Sequence, residues 1–211
     1  MRRVENETES YDNRFAVAED RKTNIKQKTL LPLLSTVAVV GFMTFVLWSQ
    51  GRIWWCKSGD LAVYINQAWN SSHTSQHLFD PYTFTHILHG VLAFWLAGVL
   101  LKRFDMRWRF VAAVVGEAAW EVLENSSYII EKYRENTASL DYFGDSIMNS
   151  VGDVLAFAIG FAIAAKLGRW KSLAFFVLVE LALLIWIRDG LLLNILMLIY
   201  PMDWIKAWQL G

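Results

Sequence analysis

The chain has 211 residues, of which 55% are hydrophobic, 15% aromatic and only 19% charged. A soluble domain of this length would carry more charge and fewer long apolar runs. The formal charge is zero, which argues against nucleic acid as a partner, and the single cysteine, Cys56, excludes an intramolecular disulfide and a Cys-based zinc or iron–sulfur cage.

Residues 1–28 are polar, mixed in charge and free of apolar periodicity, and they read as a disordered cytoplasmic tail rather than a signal peptide. Residues 29–211 read as one transmembrane helical domain. The first expected span, 30–48, holds no charged residue, and Pro32 suits its first turn. A polar, aromatic connection over 51–82 follows. Its His73 and His77 read as solvated loop histidines, with capping of a cavity mouth as the alternative, and Cys56 reads as an incidental thiol near the membrane surface.

The second span, 83–101, carries His86 and His89 and is closed by Lys102, Arg103, Arg107 and Arg109. The third, 110–130, carries Glu117, Glu121 and Glu124, and the fourth, 145–165, carries Asn149 and Asp153. The fifth, 173–187, carries Glu180, which is expected to pair with Arg188. Residues 191–200 are apolar but too short to span alone, so they form an interfacial or re-entrant helix or complete a sixth crossing. The expected fold class is therefore all-α: a polytopic transmembrane bundle of five spans plus a short C-terminal helix.

Fourteen of the twenty Lys and Arg fall in the tail, in 102–109 and in 166–171, which puts the N-terminus in the cytoplasm. Tryptophans agree with this frame. Trp48, Trp54, Trp55, Trp108, Trp170 and Trp186 lie beside the ends of apolar runs, where indole favours the headgroup level, whereas Trp95 and Trp120 fall inside runs and should pack between helices.

The third span is the most informative. Glu117, Glu121, Glu124, Tyr128 and Glu131 are spaced to lie on one helical stripe, and a carboxylate facing lipid is costly. His86 and His89 share a face of the second span, and Asp145, Asn149 and Asp153 share an arc of the fourth. At 1.5 Å per residue, His86 and His89 lie about 5 and 9 Å below the outer end of their span. Glu124 and Glu121 lie about 9 and 14 Å deep, and Asn149 and Asp153 about 6 and 12 Å. The expectation is a cavity in the outer half of the bilayer, opening outward, with two imidazoles, carboxylates and an amide on its wall.

The runs SQHLFDPYTFTHILHG (75–90), GEAAWEVLENSSYIIEKYRENTASLDYFGDSIMNSVGD (116–153) and RDGLLLNILMLIYPMDWIKAWQ (188–209) resemble the bacterial membrane proteins grouped as uncharacterised-protein family 0314. That resemblance implies a multi-pass protein of the bacterial inner membrane and supports the topology without implying a chemistry. A more distant likeness to VanZ-like membrane proteins rests on Glu121 or Glu124 followed by Asp145, Asn149 and Gly152, with Glu124-Asn125 where that pattern has an acidic–Gln step.

Two function classes follow from the polar band. In the first, a membrane-embedded enzyme acts on a lipid or lipid-linked envelope substrate. Glu121 and Glu124 would be base and partner, His86 or His89 the proton shuttle, and Asn149 and Asp153 the orienting groups. No organic cofactor signature is present; a divalent metal, if bound, would take His86, His89, Glu121 and Asp153. In the second, a proton- or ion-coupled carrier or accessory subunit uses Glu117 to Glu131 as a titrating ladder. A third reading makes the band structural, with hydrogen bonds knitting the helices. The expected partners are the bilayer and a lipid-like substrate, with no nucleic acid and with oligomeric state left open.

Overall fold

The computed structural model describes residues 29–68 and 71–211, so the tail expected over 1–28 lies outside the described residues. Among the described residues there are eight helices and no strand. They are α1 (Thr29–Ser49), α2 (Thr83–Leu100), α3 (Met106–Glu124), α4 (Ser127–Asn136), α5 (Ile147–Leu167), α6 (Arg169–Ile187), α7 (Leu191–Ile199) and α8 (Asp203–Leu210). Four of them, α1, α2, α5 and α6, are long and apolar enough to cross a membrane. The all-helical expectation holds.

The third expected span is different from its sequence reading. Its helix begins earlier, at Met106, with the Asp105 carboxylate accepting the Arg107 N–H, and it stops at Glu124. Ser126 then caps a new helix by accepting the Ile129 N–H. Hydroxyl and amide side chains that compete for backbone hydrogen bonds favour such a break. The stripe expected from Glu117 to Glu131 is therefore interrupted. Tyr128 is 64% exposed and Glu131 is exposed on the separate helix α4. With Arg107, Arg109 and three glutamates, α3 is not among the helices apolar enough to cross by composition.

Helices α2 and α5 form the centre of the bundle, and small residues set their distance. A Cβ built on Gly90 would overlap the Phe157 carbonyl oxygen, and one on Gly160 would overlap the Ile87 carbonyl oxygen. The two backbones lie flush, as small residues permit in helix pairs with no aqueous driving force. Met43 and Leu47 of α1 pack with Val114 and Ala118 of α3 and Ile147, Val154 and Phe157 of α5 in one apolar core. Leu88, Val91, Ala164, Phe176 and Leu191 form another. Trp95 packs between α2 and α6 as expected, donating its indole N–H to Ser172 Oγ at 3.1 Å.

Gly168, at φ 73°, is the one residue between α5 and α6, a left-handed position that glycine occupies at no steric cost. Outward faces stay apolar: Phe42, Val99, Leu178 and Ile185 are 69%, 71%, 66% and 85% exposed. Helix α7 has nine residues, a rise of about 14 Å, too short to cross alone. The expected Glu180–Arg188 pair does not form. Glu180 Oε1 accepts the Leu192 N–H at 3.2 Å at the start of α7, and Arg188 donates to the Trp208 carbonyl at 3.0 Å.

Candidate functional site

The flush contact of α2 with α5 leaves the His86 and His89 edge of α2 turned to α3. Residues three apart on a helix are neighbours, so both imidazoles reach the same group. His86 Nδ1 lies 2.7 Å and His89 Nδ1 3.2 Å from Oε1 of Glu117. One helical turn further, Glu121 Oε1 stands 3.4 Å from His86 Nδ1. From α5, Asp153 Oδ2 lies 4.0 Å from His86 Nε2. His86 thus has carboxylates on two sides, and it is buried with Glu117, Glu121 and Asp153.

The cluster faces a cavity of about 50 Å³ whose wall includes His86, His89, Trp120, Glu124, Asp145 and Asp153. Tyr82, Tyr133, Tyr142 and Asn194 add to its polar lining, while Leu191 and Ile195 of α7 give it an apolar side. Tyr133 donates to Asn194 Oδ1 at 2.9 Å, tying α4 to α7, and Tyr82 donates to Asp189 Oδ2 at 3.1 Å. Burial holds the Asp189 carboxyl up at about 6, against hydrogen bonds from Gly190 and Tyr82 that favour its ionised form.

Beneath the helix break, Asn125 holds Asp145 on both sides. Its Nδ2 donates to Asp145 Oδ2 at 2.8 Å, and its Oδ1 accepts the Asp145 N–H at 2.7 Å. Tyr142 donates to the other carboxylate oxygen at 3.0 Å. The roof is the 71–82 connection. Ser146 N–H donates to the Ser75 carbonyl at 2.9 Å, and Gly152 meets the Leu78 carbonyl so closely that a Cβ would overlap it. Asp80 ends this roof, accepting the Tyr82 and Thr83 N–H groups at 2.8 and 3.2 Å as α2 begins.

Of the six sequence-predicted site residues, the fold brings His86, His89, Glu124 and Asp153 to the wall of one cavity and sets Glu121 behind it, against His86. Asn149 does not line that cavity. Its amide is spent on the His77 carbonyl, donated at 2.7 Å, because the N-terminal turn of α5 lies directly under the roof. Histidine 77 is not a solvated loop residue either: it is fully buried. Sequence reasoning gave Glu117 no part in the enzyme site, although it is the carboxylate that both imidazoles share; its place on the Glu121 face was the available signal. The residues Asn125, Tyr133 and Asn194 gave no such signal, since they reach the site through a helix break and a short C-terminal helix.

Two groups of metal-ligand atoms converge here, His86 with His89 and Glu117, and His86 with Glu121 and Glu124. Both differ from the expected set of His86, His89, Glu121 and Asp153. The shared contact of the two Nδ1 atoms with Glu117 is also what two ring N–H donors on one carboxylate would give, so the donor set suits an ion without requiring one.

An apolar groove of about 670 Å³ begins at His89, Glu117 and Trp120 and runs along the α2–α3 seam past Leu92, Leu96 and Leu100. Its floor is small: Ala112, Ala113 and Gly116, the last with nothing within 4 Å of an added Cβ.

The chain is similar to known bacterial proteins. The family described as "Protein of unknown function (DUF2585)" matches residues 47–211. The UPF0314 protein of Brucella anthropi is 44% identical over 188 residues, covering 88% of this chain and 93% of that protein. That of Rhizobium meliloti is 40% identical over 197 residues, covering 93% and 100%, and that of Paracoccus denitrificans is 41% identical over 179, covering 84% and 92%. No solved structure matches. On these similarities the chain belongs to the bacterial UPF0314 family.

Proposed function

We propose that this chain is a multi-pass inner-membrane enzyme acting on a lipid or lipid-linked envelope substrate, with its N-terminus in the cytoplasm and its polar cavity in the outer half of the bilayer. The observation that carries the reading is Glu121. Its side chain is fully buried, and neither carboxylate oxygen has a hydrogen-bond partner among the described residues. Each buried orphan atom costs about 1–3 kcal/mol, and Glu121 alone among the described carboxylates leaves both of its oxygens so. An unsatisfied carboxylate 3.4 Å from an imidazole is arranged for proton exchange with His86.

In this reading Glu121 is the base and His86 the shuttle. Glu117 holds His89 and takes the Nδ1 proton of His86 when that nitrogen accepts one from Glu121, and Glu124, beside Tyr133 and Trp120, faces the substrate from across the cavity. The groove supports a lipid. From His89 to Leu100 it follows about 16 Å of helix, its wall is apolar, and Leu96 and Leu100 are 60% and 68% exposed. An acyl chain lying there would bring its polar end to His89 and Glu117. The carrier reading loses the continuous acidic stripe it rested on, which stops at Glu124.

Lipid profiling of a bacterial deletion strain tests the proposal. The deletion should accumulate an envelope lipid precursor that wild-type protein clears and Glu121→Gln protein, present at an equal level, does not. Full complementation by Glu121→Gln would overturn the assignment of the base.

A further inference from the structure

The connection between α1 and α2 carries another convergence of ligand atoms, from Cys56, His73 and His77, none of which lines the carboxylate cavity. Cys56 Sγ lies 3.4 Å from His73 Nδ1, which lies 3.1 Å from His77 Nε2. Asp60 Oδ2 is 3.9 Å from the same His73 nitrogen. A tetrahedral zinc ion with bonds of about 2.0–2.1 Å to N and about 2.3 Å to S sets its ligand atoms about 3.3–3.6 Å apart. The observed separations bracket that value.

The tautomer of His77 points the same way. Its Nδ1 lies 2.6 Å from the Ala62 carbonyl oxygen, which can only accept. The proton therefore sits on Nδ1, and the Nε2 lone pair faces His73 and Cys56. This is the outer-sphere arrangement that orients a metal-binding histidine. Asp60 is prepared similarly: its Oδ1 accepts the Ala62 N–H at 2.8 Å, leaving Oδ2 toward His73. Cys56 and His77 are buried, with the Trp55 ring edge-on to His77 at 6.0 Å. His73 and Asp60, with side chains 26% and 41% exposed, leave an open side for entry.

We propose that Cys56, His73 and His77, with Asp60 as fourth donor, form a binding site for a divalent transition metal of the zinc class. With no second cysteine in the chain, the thiol cannot be lost to an intrachain disulfide. The ion would staple the irregular connection that roofs the cavity, since His77 also gives its carbonyl to Asn149 and its neighbours Thr74 and Ser75 line the cavity wall. The inference stands independently of what the cavity does.

Full-length protein in detergent, stripped with chelator and titrated with Zn²⁺ or Co²⁺ alone, tests it. Wild type should take up one high-affinity equivalent and show a thiolate-to-cobalt charge-transfer band. Cys56→Ser, near in size, should lose that band and bind Zn²⁺ more weakly by at least the ~10–100-fold that loss of an outer-sphere partner brings. His86→Ala should keep both. Zn²⁺ should also slow alkylation of Cys56 in the wild type, a readout that does not depend on any variant folding. The absence of a thiolate band, unchanged Zn²⁺ affinity in Cys56→Ser, or a metal lost with His86→Ala would each overturn the site.

Discussion

The molecule holds two histidine pairs that differ in what positions them. His86 and His89 sit on a regular helix whose place is set by backbone contact at Gly90 and Gly160. His73 and His77 sit in an irregular connection, where the Ala62 carbonyl orients one ring and its neighbours supply thiol and carboxylate. The helical pair finds a fixed carboxylate, Glu117, so its geometry is complete in protein atoms alone. The loop pair gathers donors held to one another by hydrogen bonds, whose lone pairs a cation could share. A rigid scaffold suits a reacting group, and an adaptable loop suits an ion that does its own organising.

The largest effect expected from breaking this contrast lies at the helix contact. Gly160→Leu drives a side chain into the Ile87 carbonyl and should cost about 1–3 kcal/mol or more, seen as loss of monodisperse protein on size exclusion. Gly98→Leu, with nothing near the added carbon, should be tolerated in the same assay. Next comes ion dependence. Saturating Zn²⁺ at about 100 times its Kd should stabilise the wild type by about 2.7 kcal/mol in thermal unfolding. Cys56→Ser should gain little, whereas Glu117→Gln should keep the full zinc increment and lose about 1–3 kcal/mol with or without the ion.

A smaller effect sits where the two regions join. Burial, reinforced by the charge of Asp145, lifts the Asp80 carboxyl to about 7. An acid whose folded pKa is raised binds its proton more tightly folded than unfolded, so its stabilising contribution is present below about pH 4 and is lost as pH rises through about 7. Asp80→Asn keeps the backbone caps and should flatten thermal stability over that window. Least of all, Trp95→Phe removes one hydrogen bond to Ser172 and should cost about 1 kcal/mol by the same unfolding assay.

How much of this was legible in the sequence follows from periodicity. His86 and His89, and Glu117, Glu121 and Glu124, share faces because 3.6-residue spacing governs α2 and α3, and depth counting put His86, His89, Glu121 and Glu124 at one level but did not include Glu117. The break at Asn125-Ser126 was not legible, since an amide and a hydroxyl inside an apolar run fit a continuous helix until their partners, Asp145 across the fold and the Ile129 N–H in the next turn, are known. Asn149 had the expected depth but the wrong partner, because the folding of 71–82 back over α5 has no periodic signature. The same absence hid Cys56, His73, His77 and Asp60, which are spread over an aperiodic connection and meet only through its turns.

The central claim is that the polar cluster and the apolar groove form one lipid-processing site, and Gly116 tests it most directly. Gly116→Leu puts a side chain into the groove floor, where an added Cβ meets nothing within 4 Å, and replaces a poor helix former with a good one. Lipid profiles of a deletion strain carrying this variant should show precursor accumulation as in the deletion, although the protein is as thermally stable as wild type or more so. A profile restored to wild type by Gly116→Leu would contradict the account.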